Sequence, residues 1–243
     1  FTKSKEIDLY RFLRKTQYWS KKNLYRYQNI KLRRLINFAY KNVPYYKNLF
    51  DDLSLLPSDI KSQQDLIKLP ILTKEIIREK MTSGEILSRY TDKKNLHKFS
   101  SGGTTTGFPL FFYRNPLASS WGRSAEFRGW EWQGFDFGEK YAVLWRAPST
   151  IKTYNSNYYK WINKFRNMIF LPLHDINNES ISKVVDKLRK HKPKIMKACP
   201  SAAYALANYV KENGIEDLSF KMVYTSSEKL FPLQRDIISK TFN

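Results

Sequence analysis

The chain has 243 residues, 42% of them hydrophobic, which is enough for one large globular domain or two small ones. Its formal charge is +21, and its single cysteine, Cys199, excludes an intramolecular disulfide and suits a reducing compartment. The first 20 residues lack an apolar signal core, and no apolar run approaches the roughly 18 residues of a spanning helix. We therefore expect a soluble, cytoplasmic protein.

The positive charge is concentrated in two segments. Residues 1–50 carry 13 Lys and Arg against two acidic residues, and residues 151–200 carry 11 against three. Such segments either attract anions, including nucleotides, acidic lipid head groups and nucleic acid, or simply form solvated helix faces. No zinc-ligand spacing, aromatic RNA-binding signature or DNA-reading motif accompanies the charge, so no specific nucleic-acid partner is expected. An anionic membrane surface stays open as a partner.

The N-terminal part of the chain has helical patterns. Residues 1–22 are basic and aromatic, which suits either a helix lying on an anionic membrane or an ordinary helix packed on the domain. Residues 24–41 have apolar side chains at helical spacing, which predicts an amphipathic helix that ends before Pro44. Two further helices are expected to start at the N-cap residues Ser62 and Thr73.

A segment rich in glycine and hydroxyl groups follows at residues 99–109. Its glycines allow close backbone approach and positive φ, so that consecutive N–H groups can converge on an anion. Its hydroxyls can add donors to phosphate oxygens. Phe108 and Pro109 stand where a Walker loop needs Lys and Ser or Thr, which argues against a P-loop NTPase. From the residues alone, the alternative is a plain linker. The candidate phosphate-binding residues are Ser100, Ser101, Gly102, Gly103, Thr104, Thr105, Thr106 and Gly107.

The rest of the chain alternates between strands and helices. A strand at 110–114 and a helix at about 116–132, capped by Asn115, should precede a buried strand at 141–145. Further strands are expected near 168–171, 194–198 and 220–225, and further helices near 155–166, 179–191, 201–213 and 231–241. This alternation predicts an α/β fold with a mainly parallel sheet flanked by helices.

Ligands of open parallel sheets bind at the carboxyl ends of the strands. Two segments satisfy this rule: residues 199–201 and residues 225–228. From the residues alone, both are better explained as ordinary turns in which Ser and Thr cap a helix. Cys199 has no neighbouring base and is interpreted as a packing residue. The histidines are scattered without ligand spacing, so no metal site made by protein residues is predicted; they are His97, His174 and His191.

Residues 101–109 resemble the Ser/Thr-Gly-rich phosphate loop, ending Thr-Gly-x-Pro, of adenylate-forming enzymes. The best match is the phenylacetate-CoA ligase-like and capsular-polysaccharide (CapK-like) branch. The resemblance covers about residues 24–243, in the family's order, and its other matching segments are residues 42–46, 69–74, 132–138, 192–194, 199–201 and 225–228. Two features depart from the family pattern. The loop has one extra residue, and Leu110 replaces a Lys that many adenylating enzymes have.

The resemblance implies an AMP-forming acyl- or aryl-carboxylate ligase that uses ATP with Mg²⁺ to make an acyl adenylate, with CoA as a candidate acceptor. It implies that residues 100–107 bind the phosphates of ATP. The residues that it assigns to adenine are Thr225, Ser226, Ser227 and Glu228, and those that it assigns to the edge of the acyl pocket are Ser201 and Tyr204. No residue of this chain is assigned a catalytic role.

The resemblance also places a Mg-ATP-binding segment, a ribose-binding Asp and a mobile C-terminal domain with a catalytic Lys after residue 243. The expectation is therefore a catalytically incomplete fragment. It would consist of a mainly helical region, residues 1–98, and an incomplete α/β nucleotide-binding portion, residues 99–243. The alternative is a non-catalytic nucleotide-binding or membrane-surface accessory protein of capsular polysaccharide biosynthesis, peripheral to the inner face of the membrane.

Overall fold

The computed structural model describes residues 5–90, 96–100, 110–146, 157–173 and 175–242. The chain forms two compact units, Phe1–Glu126 and Phe127–Asn243, which are called the first and second unit below. The predicted division of the chain after residue 98 stays a prediction.

The first unit is mainly helical among its described residues. Its α-helices are α1 (Glu6–Thr16), α2 (Lys21–Asn42), α3 (Pro44–Asp52), α4 (Lys74–Thr82) and the start of α5 (Pro116–Glu131). Two short 3₁₀ helices, Pro57–Asp59 and Gln63–Lys68, join α3 to α4. Ile36, Phe50 and Ile60 are buried together and form the small core that holds α2 and α3 in place.

Local signals set the ends of these helices. The Ser20 hydroxyl accepts a hydrogen bond from the Asn23 N–H at the start of α2, at 3.3 Å. Thr73 caps α4 in the same way, through the Ile76 N–H at 3.3 Å. Ser62 begins a 3₁₀ helix, and the Asp65 carboxylate accepts from the Ser62 N–H at 2.9 Å.

Two antiparallel strands follow in the first unit. Strand β1, His97–Ser100, pairs with β2, Phe111–Arg114, from the His97 and Arg114 pair to the Ser100 and Phe111 pair. The glycine-rich segment 101–109 connects the two strands and lies outside the described residues. Strand β2 is followed by α5, whose first turn is capped because the Asn115 Oδ1 accepts from the Ala118 N–H at 2.7 Å.

The second unit contains a four-stranded parallel sheet, which confirms the predicted α/β class. Its strands are β3 (Tyr141–Trp145), β4 (Met168–Pro172), β5 (Ile195–Ala198) and β6 (Met222–Thr225), in the order β4-β3-β5-β6. Its helices after α5 are α6 (Asn157–Phe165), α7 (Asn178–His191), α8 (Pro200–Glu212) and α9 (Pro232–Phe242).

The two faces of this sheet pack against different helices, because alternate residues of each strand point to opposite faces. Leu144 and Met196 lie on one face, in a core with residues of α7, α8 and α9 such as Leu206. On the other face, the ring of Tyr141 lies against Trp130 of α5, with centroids 5.2 Å apart. Strand pairing and this packing therefore set the positions of the strand ends relative to one another. No helix within the described part of the chain is long and apolar enough to cross a membrane.

Candidate functional site

The four parallel strands of the second unit end at one edge of the sheet, which we call the carboxyl edge. Three segments leave this edge from neighbouring strands: residue 146 after β3, residues 199–201 after β5 and residues 226–228 after β6. Two of these segments are the ones that the sequence singled out. The structure thus places both predicted segments side by side at the edge where open α/β sheets bind their ligands.

The junction between β5 and α8 presents backbone donors at this edge. Pro200 occupies the first position of α8, where a missing N–H costs nothing, and Cys199 precedes it with extended backbone. The Ser201 N–H is one of the donors that have no partner within the helix, and it donates to Glu228 Oε2 at 3.0 Å. A carboxylate at the start of a helix is stabilised by the helix dipole. Glu228 therefore links β6 to α8.

The turn after β6 brings Glu228 into this position. The Ser226 N–H donates to the carbonyl of Ala198 at 3.1 Å, which extends the pairing of β5 and β6 by one residue. Ser227 then adopts a left-handed conformation with φ of 80°. This conformation is uncommon for a residue other than glycine, and it reverses the chain so that Glu228 points back to α8.

Arg146 completes the cluster, and sequence reasoning missed it. Its Nη1 donates to Ser201 Oγ at 3.1 Å, and its side chain is exposed. Arg146 directly follows β3, so the rule that selected residues 199–201 and 225–228 could also have selected it. We call Arg146, Ser201 and Glu228 the edge cluster.

Tyr204 lies one turn after Ser201 in α8, and residues three apart share one side of a helix. Its side chain is half-buried and packs against the core beneath α8. The assignment of Ser201 and Tyr204 to an acyl pocket remains a prediction. The same holds for the phosphate loop, because Ser100 ends β1 and residues 101–107 lie outside the described residues.

The chemistry of Cys199 is that of a packing residue. The side chain is buried, and burial is the main cause that raises the pKa of its thiol. The thiol therefore stays protonated at neutral pH and is not an activated nucleophile. Within the described ranges, no group of three or more His, Cys, Asp or Glu residues is placed to hold a metal ion.

Comparison with known proteins identifies the fold. No family model and no curated protein matched the chain. Solved structures of 2-hydroxyisobutyryl-CoA ligase do match. One, in complex with 2-HIB-AMP and CoA in the thioesterification state, has a TM-score of 0.69 at 19% identity and covers 92% of this chain and 48% of that chain. Over most of its length, the chain has the fold of about half of 2-hydroxyisobutyryl-CoA ligase.

A second structure of the same ligase supports this result. It shows an open conformation in complex with 2-HIB-AMP and CoA, with a TM-score of 0.67 at 18% identity, and it covers 90% of this chain and 51% of that chain. A third, in the postadenylation state with 2-HIB-AMP, has a TM-score of 0.64. The chain therefore spans about half the length of the ligase structures that it matches.

Proposed function

We propose that this chain is the nucleotide- and acid-binding part of an AMP-forming acyl- or aryl-carboxylate ligase. The observation that carries the proposal is the hydrogen bond between the Ser201 N–H and Glu228, which joins the predicted acyl and adenine segments at the carboxyl edge of this fold. The ligase of the same fold is seen with an adenylate and with CoA, which supports ATP as the co-substrate and CoA as a candidate acceptor. The motif segments favour the phenylacetate-CoA ligase-like or CapK-like branch.

The proposed reaction joins a carboxylate oxygen of the acid to the α-phosphorus of ATP and breaks the bond to pyrophosphate. Phosphoryl chemistry of this kind depends on positioning and on charge stabilisation rather than on a catalytic base. Residues 225–228 would position adenine, Ser201 and Tyr204 would flank the acid, and residues 100–107 would bind the phosphates.

Mg²⁺ would reach such a site with the phosphates of ATP, because Mg²⁺ usually retains several waters and binds through few protein carboxylates. Glu228 is the carboxylate of the edge cluster, and one of its oxygens already accepts from Ser201. The described residues alone therefore do not form a Mg²⁺ site, and the proposal assigns Mg²⁺ no protein ligand.

The test is acid-dependent exchange of pyrophosphate into ATP by the full-length ligase of which this chain is the proposed part, measured over a panel of aryl and acyl acids. The proposal expects exchange with at least one acid and none without acid, because exchange reports reversible adenylate formation. ATP binding, measured by calorimetry, should be present without any acid. ATP binding without exchange for any acid would favour a non-catalytic nucleotide-binding protein. Absence of ATP binding would contradict both the ligase and the non-catalytic nucleotide-binding protein.

One observation favours attachment to a membrane surface as a second function. Helix α2 carries seven Lys and Arg residues and no acidic residue, and all seven basic side chains are exposed. Five of them fall within about a third of the helix circumference at 3.6 residues per turn: Lys22, Arg26, Arg33, Arg34 and Lys41. Exposed Leu35 and Phe38 lie on the same helix. Basic and apolar side chains together are typical of helices that bind anionic lipid.

The protein should therefore bind vesicles that contain phosphatidylserine, and binding should weaken steeply between low and physiological salt. Each Lys or Arg near such a surface contributes about 1 kcal/mol, and salt screens the attraction. The triple variant R26Q/R33Q/R34Q should bind about 100-fold more weakly in a sedimentation assay. The control variant K187Q/K190Q/K211Q removes the same charge from exposed positions of α7 and α8. Equal losses in both variants, or binding that salt does not change, would count against α2 as the attachment surface.

A further inference from the structure

The guanidinium group of Arg146 at the carboxyl edge has more hydrogen-bond donors than it has partners among the described residues. Its one hydrogen-bond partner in the described part of the chain is the neutral Ser201 hydroxyl, at 3.1 Å, although an Arg has five N–H donors. No carboxylate of the described residues pairs with it. Ser201 Oγ accepts this bond, so its own hydrogen is available to a further acceptor. Arg146 and Ser201 thus offer converging donors beside the predicted acyl pocket.

The order of the strands separates Arg146 from the predicted adenine turn. Arg146 follows β3, Ser201 follows the neighbouring strand β5, and residues 226–228 follow β6 beyond it. Adjacent strands are about 4.8 Å apart, so β3 and β6 are separated by roughly 10 Å. A nucleotide whose base lies on the β6 turn can therefore extend along the edge toward Arg146 with its opposite end. In an acyl adenylate, the opposite end is the phosphate with the acyl group.

We propose that Arg146, with the Ser201 hydroxyl, binds a second carboxylate of the acid substrate, so that the protein selects dicarboxylic acids over acids with an apolar tail. This inference rests on the proposed function. Arg binds carboxylates through two parallel N–H···O bonds, which makes this recognition both strong and directional. An apolar tail would remove water from the guanidinium without replacing its hydrogen bonds, and that loss disfavours such acids.

The α-phosphate of the adenylate is the other anion within reach of Arg146, and the two roles have different consequences. A phosphate contact would be the same for every acid, because every acyl adenylate has the same phosphate. A contact with a second carboxylate would act only on acids that have one. The dependence of the Arg146 effect on the acid therefore separates the two roles.

The experiment compares matched acids in the pyrophosphate exchange assay, using succinate with pentanoate and isophthalate with 3-ethylbenzoate. The full-length ligase that contains this chain should show kcat/KM values at least 100-fold higher for the diacid of at least one pair. In R146M this ratio should fall toward one, whereas R146K should retain part of it. The variant K187M, which removes one exposed charge from the C-terminal half of α7, should keep the diacid-to-monoacid ratio of kcat/KM. Equal losses for both acids of a pair, or a preference for the monoacid, would overturn the proposal.

A binding measurement provides a readout that does not depend on turnover. Calorimetric titration with succinate, with and without AMP, should show binding that R146M weakens at least tenfold and that K187M does not change. Arg146 is exposed, so its substitution should leave the fold intact, which circular dichroism checks. Absence of exchange with every acid would contradict the proposed function, whereas exchange with monoacids alone would contradict only the role of Arg146.

Discussion

Replacing Gly103 with valine should abolish ATP binding by the protein. The sequence places Gly103 in the middle of the predicted phosphate loop, where backbone N–H groups must come close to the phosphates. A branched side chain blocks this approach and disfavours positive φ, and several phosphate contacts are lost together. Titration calorimetry with ATP should detect no binding at concentrations that saturate the unchanged protein.

The control for this variant is a glycine whose side-chain space is empty. Gly122 is exposed in α5, and a Cβ atom added there would meet nothing within 4 Å. The variant G122V should therefore keep the ATP affinity of the unchanged protein, and both variants should keep the same circular dichroism spectrum. If G103V bound ATP as tightly as G122V, residues 101–107 would be a linker between β1 and β2 rather than a phosphate loop.

Replacing Leu206 with alanine should lower the free energy of unfolding by about 2–5 kcal/mol. Leu206 lies in α8 with no exposed surface, in the core that α7, α8 and α9 form on one face of the sheet. Truncating it loses the transfer free energy of the buried methyl groups and leaves a cavity that rigid neighbours fill only in part. Urea denaturation, followed by circular dichroism, measures the change.

Leu233 in α9 provides the matched control, because the same substitution there removes a side chain that is 63% exposed. The variant L233A should change the free energy of unfolding by no more than about 0.5 kcal/mol. Similar losses in the free energy of unfolding for L206A and L233A would mean that α8 does not pack on the sheet in solution. The edge cluster would then lack the packed core that positions Ser201.

Local signals in the sequence determined the elements of the second unit. The strand predicted at 141–145 occupies the same residues in the structure, because its apolar run is buried on both faces. Helix α8 begins at Pro200, where proline favours a first turn, and α7 begins after Asn177, whose side chain accepts from the Ser180 N–H at 2.8 Å. Caps, prolines and periodic burial act within a few residues, so they can be recognised without a structure.

Tertiary structure decided which of these elements meet. The strand order places β5 beside β3 although β4 lies between them in the sequence, and no local pattern encodes that order. The edge cluster depends on it, because Arg146 is 55 residues from Ser201 and Ser201 is 27 residues from Glu228. Pairing of the strands in this order brings their ends together, and the left-handed Ser227 then directs Glu228 to α8. The sequence could therefore identify Ser201 and Glu228 only as separate candidates. The packed sheet shows that the two residues are hydrogen-bonded to each other and that Arg146 belongs to the same cluster.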